Sequence, residues 1–309
     1  MIRYAALRLL QGIPVLLVVA TITFALLRVI PGGPFDREKT LPPEILRNVE
    51  ARYHLDESLP RQYLRYLGGI LGGDLGPSYK YLGRDVTQIL ADAFPVSIGL
   101  GSAALAIALL FGVSAGLAGG VRRGRAPDRV LGTLAILGMS VPSFVLGAAL
   151  ILGLGLWLGW LPAGLWEGPL YVVLPAITLA AAPAAYIARL TRSSVLDVID
   201  MDFVRTARAK GVSEARVRRH HILRNALLAV TTYFGPLLAM LLTGSFVVEK
   251  VFAIPGMGRF FVTAVTNRDY PLVLGVTLVY AGLIVIANLT VDLLYAWLDP
   301  RIRLGRSRA

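Results

Sequence analysis

Six long stretches of this chain carry no charged side chain, and they constrain its fold more than any other feature. They cover residues 9–27, 93–121, 130–166, 168–188, 225–248 and 270–291. A hydrocarbon core about 30 Å thick needs about 20 helical residues to cross it. Every stretch reaches or nearly reaches that length. In lipid the backbone must satisfy its own hydrogen bonds, so each stretch is expected to be a helix. Composition agrees: 16% of the residues are charged and 56% are apolar, whereas a soluble domain has about 25% charged residues. A soluble globular enzyme and a disordered chain both fit poorly. The absence of Cys excludes a disulfide framework, thiolate metal ligands and a Cys nucleophile.

The formal charge of +12 invites a nucleic-acid partner, but the basic residues have a pattern that explains them otherwise. Arg3 and Arg8 flank the first stretch, and Arg122, Arg123, Arg125 and Arg129 separate the second from the third. Residues 189–224 hold nine more: Arg189, Arg192, Arg205, Arg208, Lys210, Arg216, Arg218, Arg219 and Arg224. Arg301, Arg303, Arg306 and Arg308 lie in the tail. If residues 130–166 hold one span, all four groups fall on one side. If they hold two, the loop with nine basic residues moves to the other side. The positive-inside rule therefore favours six helices with both termini cytoplasmic. An uncharged outer loop then opens at Gly159-Trp160-Leu161-Pro162, with Trp157, Trp160 and Trp166 at the interface. The first stretch reads as an uncleaved span, because it is long for a signal-peptide core and no small-x-small site follows it. The basic excess becomes an orientation signal, and no nucleic acid is needed to explain it.

Residues 31–94 form the one long outer segment, with eight basic and nine acidic residues. Pro42-Pro43 can start a helix with Ile45, Leu46, Val49 and Tyr53 on one stripe. A second helix is expected after Pro60, with Tyr63, Tyr66, Leu67 and Ile70 at helical spacing, before Gly72-Gly73-Asp74-Leu75-Gly76-Pro77 breaks the pattern. Such an insert is either a helical cap on the spans or also a dock for an external partner. On the basic side, Ala207, Arg208, Ala209 and Lys210 are strong helix formers. Gly211 can take positive φ and end that helix, and Ser213 with Glu214 can start another. The small residues of the first helix would let another protein approach closely. The loop reads equally as a docking platform or as a solvated basic segment beside anionic lipid.

Within the spans, Pro142, Pro175, Pro183 and Pro236 permit kinks. Asn288 and Asp292 stand i, i+4 on the last span, where a hydrogen bond to a neighbouring helix is the favoured reading over an ion or substrate role. Glu249 beside Lys250 at the outer end of its span is expected to snorkel to the surface. No substrate ligand and no metal site is assigned.

The loop segment Arg205-Thr206-Ala207-Arg208-Ala209-Lys210-Gly211 resembles the cytoplasmic "EAA" loop of ABC importer permeases, the binding-protein-dependent transport family. Ala207 and Gly211 match that pattern. Arg205-Thr206 stand where Glu-Ala would be, and in the distal element, which falls on His221-Ile222-Leu223-Arg224, Leu223 matches. These departures resemble the peptide-transporter branch. Pro31-Gly32-Gly33-Pro34-Phe35-Asp36, Leu41-Pro42-Pro43-Glu44, Tyr53-His54-Leu55 and Gly73-Asp74-Leu75-Gly76-Pro77-Ser78 resemble the outer insert of the B-type permease of oligopeptide importers. Phe94-Pro95-Val96-Ser97, Ile254-Pro255-Gly256-Met257-Gly258, Asn267-Arg268-Asp269-Tyr270 and Leu298-Asp299-Pro300 extend the likeness to the end of the chain.

The resemblance implies an all-α integral membrane protein. Residues 1–94 would form the first helix and an extracytoplasmic insert, and residues 95–309 a five-helix core of the type I ABC importer permease kind. The coupling loop would be residues 189–224. It implies a second permease subunit, two ATP-binding subunits that hold ATP and magnesium, and an external peptide-binding protein. Coupling would fall on Arg205, Thr206, Ala207, Gly211 and Leu223. In agreement, none of the four Lys (Lys39, Lys80, Lys210, Lys250) sits in a G-x-x-x-x-G-K-[ST] motif. Dipeptide, glutathione, nickel-chelate and murein-peptide substrates stay open within the family. An intramembrane hydrolase fits poorly, because His54, His220 and His221 all lie in loops and no His-Glu-x-x-His or Gly-x-Ser-x-Gly stands on a span. An ion-coupled carrier would show two similar halves and several buried charges.

Overall fold

The computed structural model describes residues 2–31, 33–35, 43–242 and 246–298. Gly32, Asp36, Leu41, Pro42, Asp299-Pro300 and the tail arginines Arg301, Arg303, Arg306 and Arg308 lie outside the described residues, as do the side chains of Arg3, Ile45 and Leu46. Among the described residues the structure is helical, apart from one isolated antiparallel bridge between Pro77 and Asp85.

The first span is α1 (Ile2–Val29). The insert follows as α2 (Pro43–Arg52) and α3 (Leu59–Gly72). Helix α4 (Val86–Val121) is the second span. Helices α5 (Ala126–Ser140) and α6 (Ser143–Leu150), the latter continued by π-helical Ile151–Trp157, are joined at a bend of 107°. The third straight span is α7 (Val173–Ile199). Helix α8 (Asp202–Ala209) and the short α9 (Glu214–Arg216) lead through π-helical Val217–Leu223 into α10 (Arg224–Leu242). Helices α11 (Phe246–Val251) and α12 (Met257–Asn267) precede the last span, α13 (Tyr270–Leu298).

The single span expected over residues 130–166 is a broken one. Pro142 cannot donate a hydrogen bond to the preceding turn, and Val141 before it is extended, with φ −79° and ψ 122°, as a residue preceding proline prefers. The two halves touch successive parts of α7. Arg192 donates to Asp128, Gly138 lies against Ala181 and Ala185, and Gly147 lies against Thr178.

Helices α4 and α7 run parallel and form the spine of the core. Gly112, Gly116 and Gly120 face α7 so closely that a β-carbon would come within 2.7, 2.5 and 2.6 Å of the Ala184 carbonyl, the Ala188 carbonyl and Val195. Small residues at every fourth position are how helices pack closely in lipid, where apolar burial gives little drive. Outside this spine, α1 runs antiparallel to α13, with Gly12 against Val285 and Arg8 paired with Asp292 at 3.1 Å. The bond expected from Asp292 to a neighbouring helix is therefore present. The turn at 122–125 and helices α8 and α9 share one end of the bundle. The insert, residues 158–172 and α11–α12 share the other.

Candidate functional site

The loop singled out by its sequence is a helix, a glycine turn and a second helix. The end of α8 is a Schellman closure: the Gly211 N–H donates to the Arg208 carbonyl at 2.9 Å and the Val212 N–H to the Ala207 carbonyl at 3.2 Å. This geometry needs a left-handed residue just past the helix, and Gly211 has φ 75°. Ser213 precedes α9 as expected but makes no side-chain cap hydrogen bond. Arg208 instead bridges the turn, donating to Glu214 at 2.9 Å.

Burial divides α8 into two faces. Val204 and Ala207 pack inward with Val195, Val198, Val217, Ile222 and Ala226. Thus Ala207, expected to make room for a partner, makes room for its own chain. The outward face carries Arg205, Thr206, Arg208 and Ala209, all exposed. Leu223 is half-buried at the end of the π-helical segment. Of the five residues named from sequence, Arg205, Thr206 and Gly211 are exposed, Leu223 is half-buried, and Ala207 serves internal packing.

Helix α7 packs against both α5 and α10. Tyr186 of α7 packs against Tyr233 of α10, with ring centroids 4.3 Å apart. One turn further on, Arg189 reaches Met139 of α5, its Nη1 lying 3.9 Å from the sulfur. Side chains on a helix lean toward its N-terminus. Arg189 therefore leans away from the α8 end and toward α5, which its place in a basic loop sequence concealed.

The opposite end holds two buried carboxylates that the sequence did not reveal as such. Glu249 was expected to snorkel; instead it is fully buried. Its oxygens accept from the Ser97 hydroxyl at 2.9 Å and the Arg259 N–H at 3.0 Å, and from the Gly258 amide. The Met257 N–H completes the arrangement by donating to Ser97 Oγ at 2.8 Å. A carboxylate at the start of α12 is well placed for the free amides and partial positive charge there. Gly256 is required, since a β-carbon there would lie 2.4 Å from the Glu249 carboxyl carbon. Asp269, also fully buried, accepts from the Ser78 hydroxyl and from the Tyr79 N–H at 3.1 Å. It thereby ties the insert to the start of α13. The segments around Ser78, Ser97, Gly256 and Asp269, which looked like separate family marks, are partners in two fastenings.

This architecture is that of a multi-pass membrane protein built as an importer permease. Residues 108–304 match the family described as "Binding-protein-dependent transport system inner membrane component", and residues 1–101 match its N-terminal companion. The chain belongs to that family. It is 45% identical over 305 residues, covering 98% of this chain and all of the relative, to the "Oligopeptide transport system permease protein OppB" of Haemophilus influenzae. It is 45% identical over 306 residues, covering 99% of both chains, to the "Dipeptide transport system permease protein DppB" of Bacillus subtilis. The fold is similar to that of the MetNI methionine ABC transporter in an inward-facing form, with a TM-score of 0.56 at 16% identity over 69% of this chain and 97% of that one.

Proposed function

We propose that this chain is one permease half of an ATP-driven peptide importer, taking oligopeptides or dipeptides as its relatives' names indicate. The observation that carries this reading is a conjunction: the exposed α8 face occurs in a chain that aligns end to end with oligopeptide and dipeptide permeases. The α8 end is cytoplasmic, by the positive-inside rule, and the insert lies outside. Helices α5, α7 and α10 supply half of the passage. A second, C-type permease subunit closes the other half, and an external peptide-binding protein delivers the cargo.

Energy enters through two ATP-binding subunits, which hold ATP and magnesium and hydrolyse the nucleotide; this chain is their non-catalytic partner. The outward face of α8 receives one of them through Arg205, Thr206, Arg208 and Ala209. The Gly211 closure fixes the angle between that face and α9. Closure of the ATP-binding subunits then moves the loop as a unit, because Arg208–Glu214 and the Ala207 cluster bind its two helices together. Helix α7 moves with it, since the loop cluster is built on Val195 and Val198 of that helix.

The test is peptide uptake into vesicles holding the assembled transporter. Uptake is expected to require ATP and the ATP-binding chain, and to survive collapse of the proton gradient. Uptake that runs on the gradient alone would make the chain an ion-coupled carrier instead.

A further inference from the structure

A cavity of about 440 Å³ lies between α1, the insert and the start of α13. Its chemistry is one-sided. The Arg28 guanidinium is held between two rings, its Cζ 4.5 Å from the centroid of Phe24 and 5.2 Å from that of Tyr270. On one edge, Arg28 Nη2 donates to Gln62 Oε1 at 2.7 Å. Gln62 cannot turn away, because its amide nitrogen donates to the Leu55 and Glu57 carbonyls at 3.2 and 2.8 Å. Ring faces and glutamine together fix the plane of the guanidinium. Its other terminal nitrogen, Nη1, is buried and has no partner, and the same holds for the Tyr66 hydroxyl. Both residues line the cavity. Burial pushes the Tyr66 hydroxyl up to about 12, so it keeps its proton at neutral pH.

The other charged residues on the walls are Arg52, His54, Arg65 and Asp74. Arg65 and His54 each reach Glu57, at 2.6 and 3.2 Å. Asp74 accepts from the Gly76 N–H at 2.8 Å. The lining is therefore rich in donors and net positive. A buried donor without an acceptor costs free energy. The ligand that repairs this is an oxyanion, which offers acceptors only and suits the planar edge of a guanidinium.

Location narrows the source. Helix α3 lies across the outer part of α1, where the Tyr63 and Thr21 hydroxyls meet at 2.6 Å. Thr21 stands eight residues before the end of α1, roughly 12 Å along the axis. The same two helices carry exposed apolar side chains outside the cavity lining, Leu64 (66%) and Leu71 (90%) on α3 and Leu26 (59%) and Val29 (77%) on α1. These apolar side chains place the cavity at the boundary between hydrocarbon and water. A ligand with an oxyanion head and an apolar tail satisfies both surfaces.

We propose that this cavity is a phosphate-binding site, with Arg28 Nη1 and the Tyr66 hydroxyl as donors, and that the phosphate belongs to the headgroup of an anionic phospholipid in the adjoining leaflet. The site is separate from the α8 loop. Bound lipid would clamp the insert to α1 and α13.

Native mass spectrometry of the assembled transporter tests the site, after exchange into nanodiscs of phosphatidylcholine with one-fifth phosphatidylglycerol. The wild-type chain is expected to retain one phosphatidylglycerol when bulk lipid is stripped. Arg28→Gln should lower that retention at least tenfold, Tyr66→Phe about threefold, and Arg28→Lys to an intermediate level, because lysine keeps the charge without the planar fork. Equal retention in the wild type and Arg28→Gln overturns the proposal. Retention lost through Leu64→Ser and Leu71→Ser but not through the Arg28 and Tyr66 variants also overturns it, as adhesion of tails only. If 1 mM inorganic phosphate displaces the lipid and phosphatidylcholine discs with phosphate behave identically, the headgroup assignment fails. Should Arg28→Gln not fold, Tyr66→Phe, which removes one atom, decides the matter.

Discussion

The two carboxylate fastenings and the α8 loop use polar side chains in opposite ways. In the fastenings, Glu249 and Asp269 are fully buried, and each has a partner far away in sequence: Ser97 lies 152 residues from Glu249, and Ser78 lies 191 residues from Asp269. Each carboxylate gathers several donors and locks helices α4, α12 and α13 or the insert to one another. At the α8 end, the ionic groups of Arg205, Arg208 and Glu214 are exposed and pair only within the loop. A small apolar cluster, built on Val195, Val198, Val204 and Ala207, and a bond from Arg208 Nη1 to the Ile199 carbonyl at 3.4 Å tie the loop to α7. The lesson is a division of labour. The buried carboxylates serve internal fastening, while the α8 loop leaves most of its charged groups exposed.

The largest effect is expected from the outer fastening. Glu249→Ala would strand the Ser97 hydroxyl and two amides of α12 in a buried site, at a cost of about 3 kcal/mol or more. Thermal unfolding of the purified transporter should show it, and Glu249→Gln should lose clearly less. If Glu249→Ala melts with the wild type, the outer lock is not a lock. A smaller structural cost is expected for Gly211→Val, which forces a branched residue into the left-handed region at roughly 1–2 kcal/mol. Membrane insertion and assembly with the ATPase should persist while ATP-driven uptake is lost. Unchanged uptake would remove Gly211 from the coupling account. The smallest structural effect belongs to Arg205→Ala, whose ion pair is exposed and long at 4.0 Å. Stability should stay within about 0.5 kcal/mol, while co-purification of the ATP-binding subunit weakens and becomes more salt-sensitive. Equal co-purification at all salt concentrations would show that the exposed charges of α8 do not meet a partner.

Much of the fold was legible because lipid imposes a simple rule. Charge-free runs of about 20 residues became helices, and proline and tyrosine spacing located α2 and α3. The Gly211 turn was equally legible, since a left-handed closure leaves a local mark. Glu249 was not. Its neighbour Lys250 and its place near a helix end suggested snorkelling, and nothing local announces a hydroxyl on α4 or amides beyond the next turn. The bend at Pro142 was visible as a kink, but its 107° angle depends on how α5 and α6 each pack on α7. Ala207 shows the limit of motif reading: it stands at the motif position, yet its smallness serves the chain's own packing. Arg189 was counted as one more inward charge. Its lean away from the α8 end follows from the direction of α7, which the topology had already implied.

The central claim is that the outward face of α8, and not its inward face, meets the energy-supplying subunit. Because the chain has no Cys, a single introduced cysteine is a unique chemical handle. Ala209→Cys and Ala207→Cys can be compared in the assembled transporter with a short thiol-to-amine crosslinker. Ala209→Cys should crosslink to the ATP-binding subunit and Ala207→Cys should not. A crosslink from Ala207→Cys with none from Ala209→Cys, or none from either alongside intact ATP-driven uptake, would contradict the account.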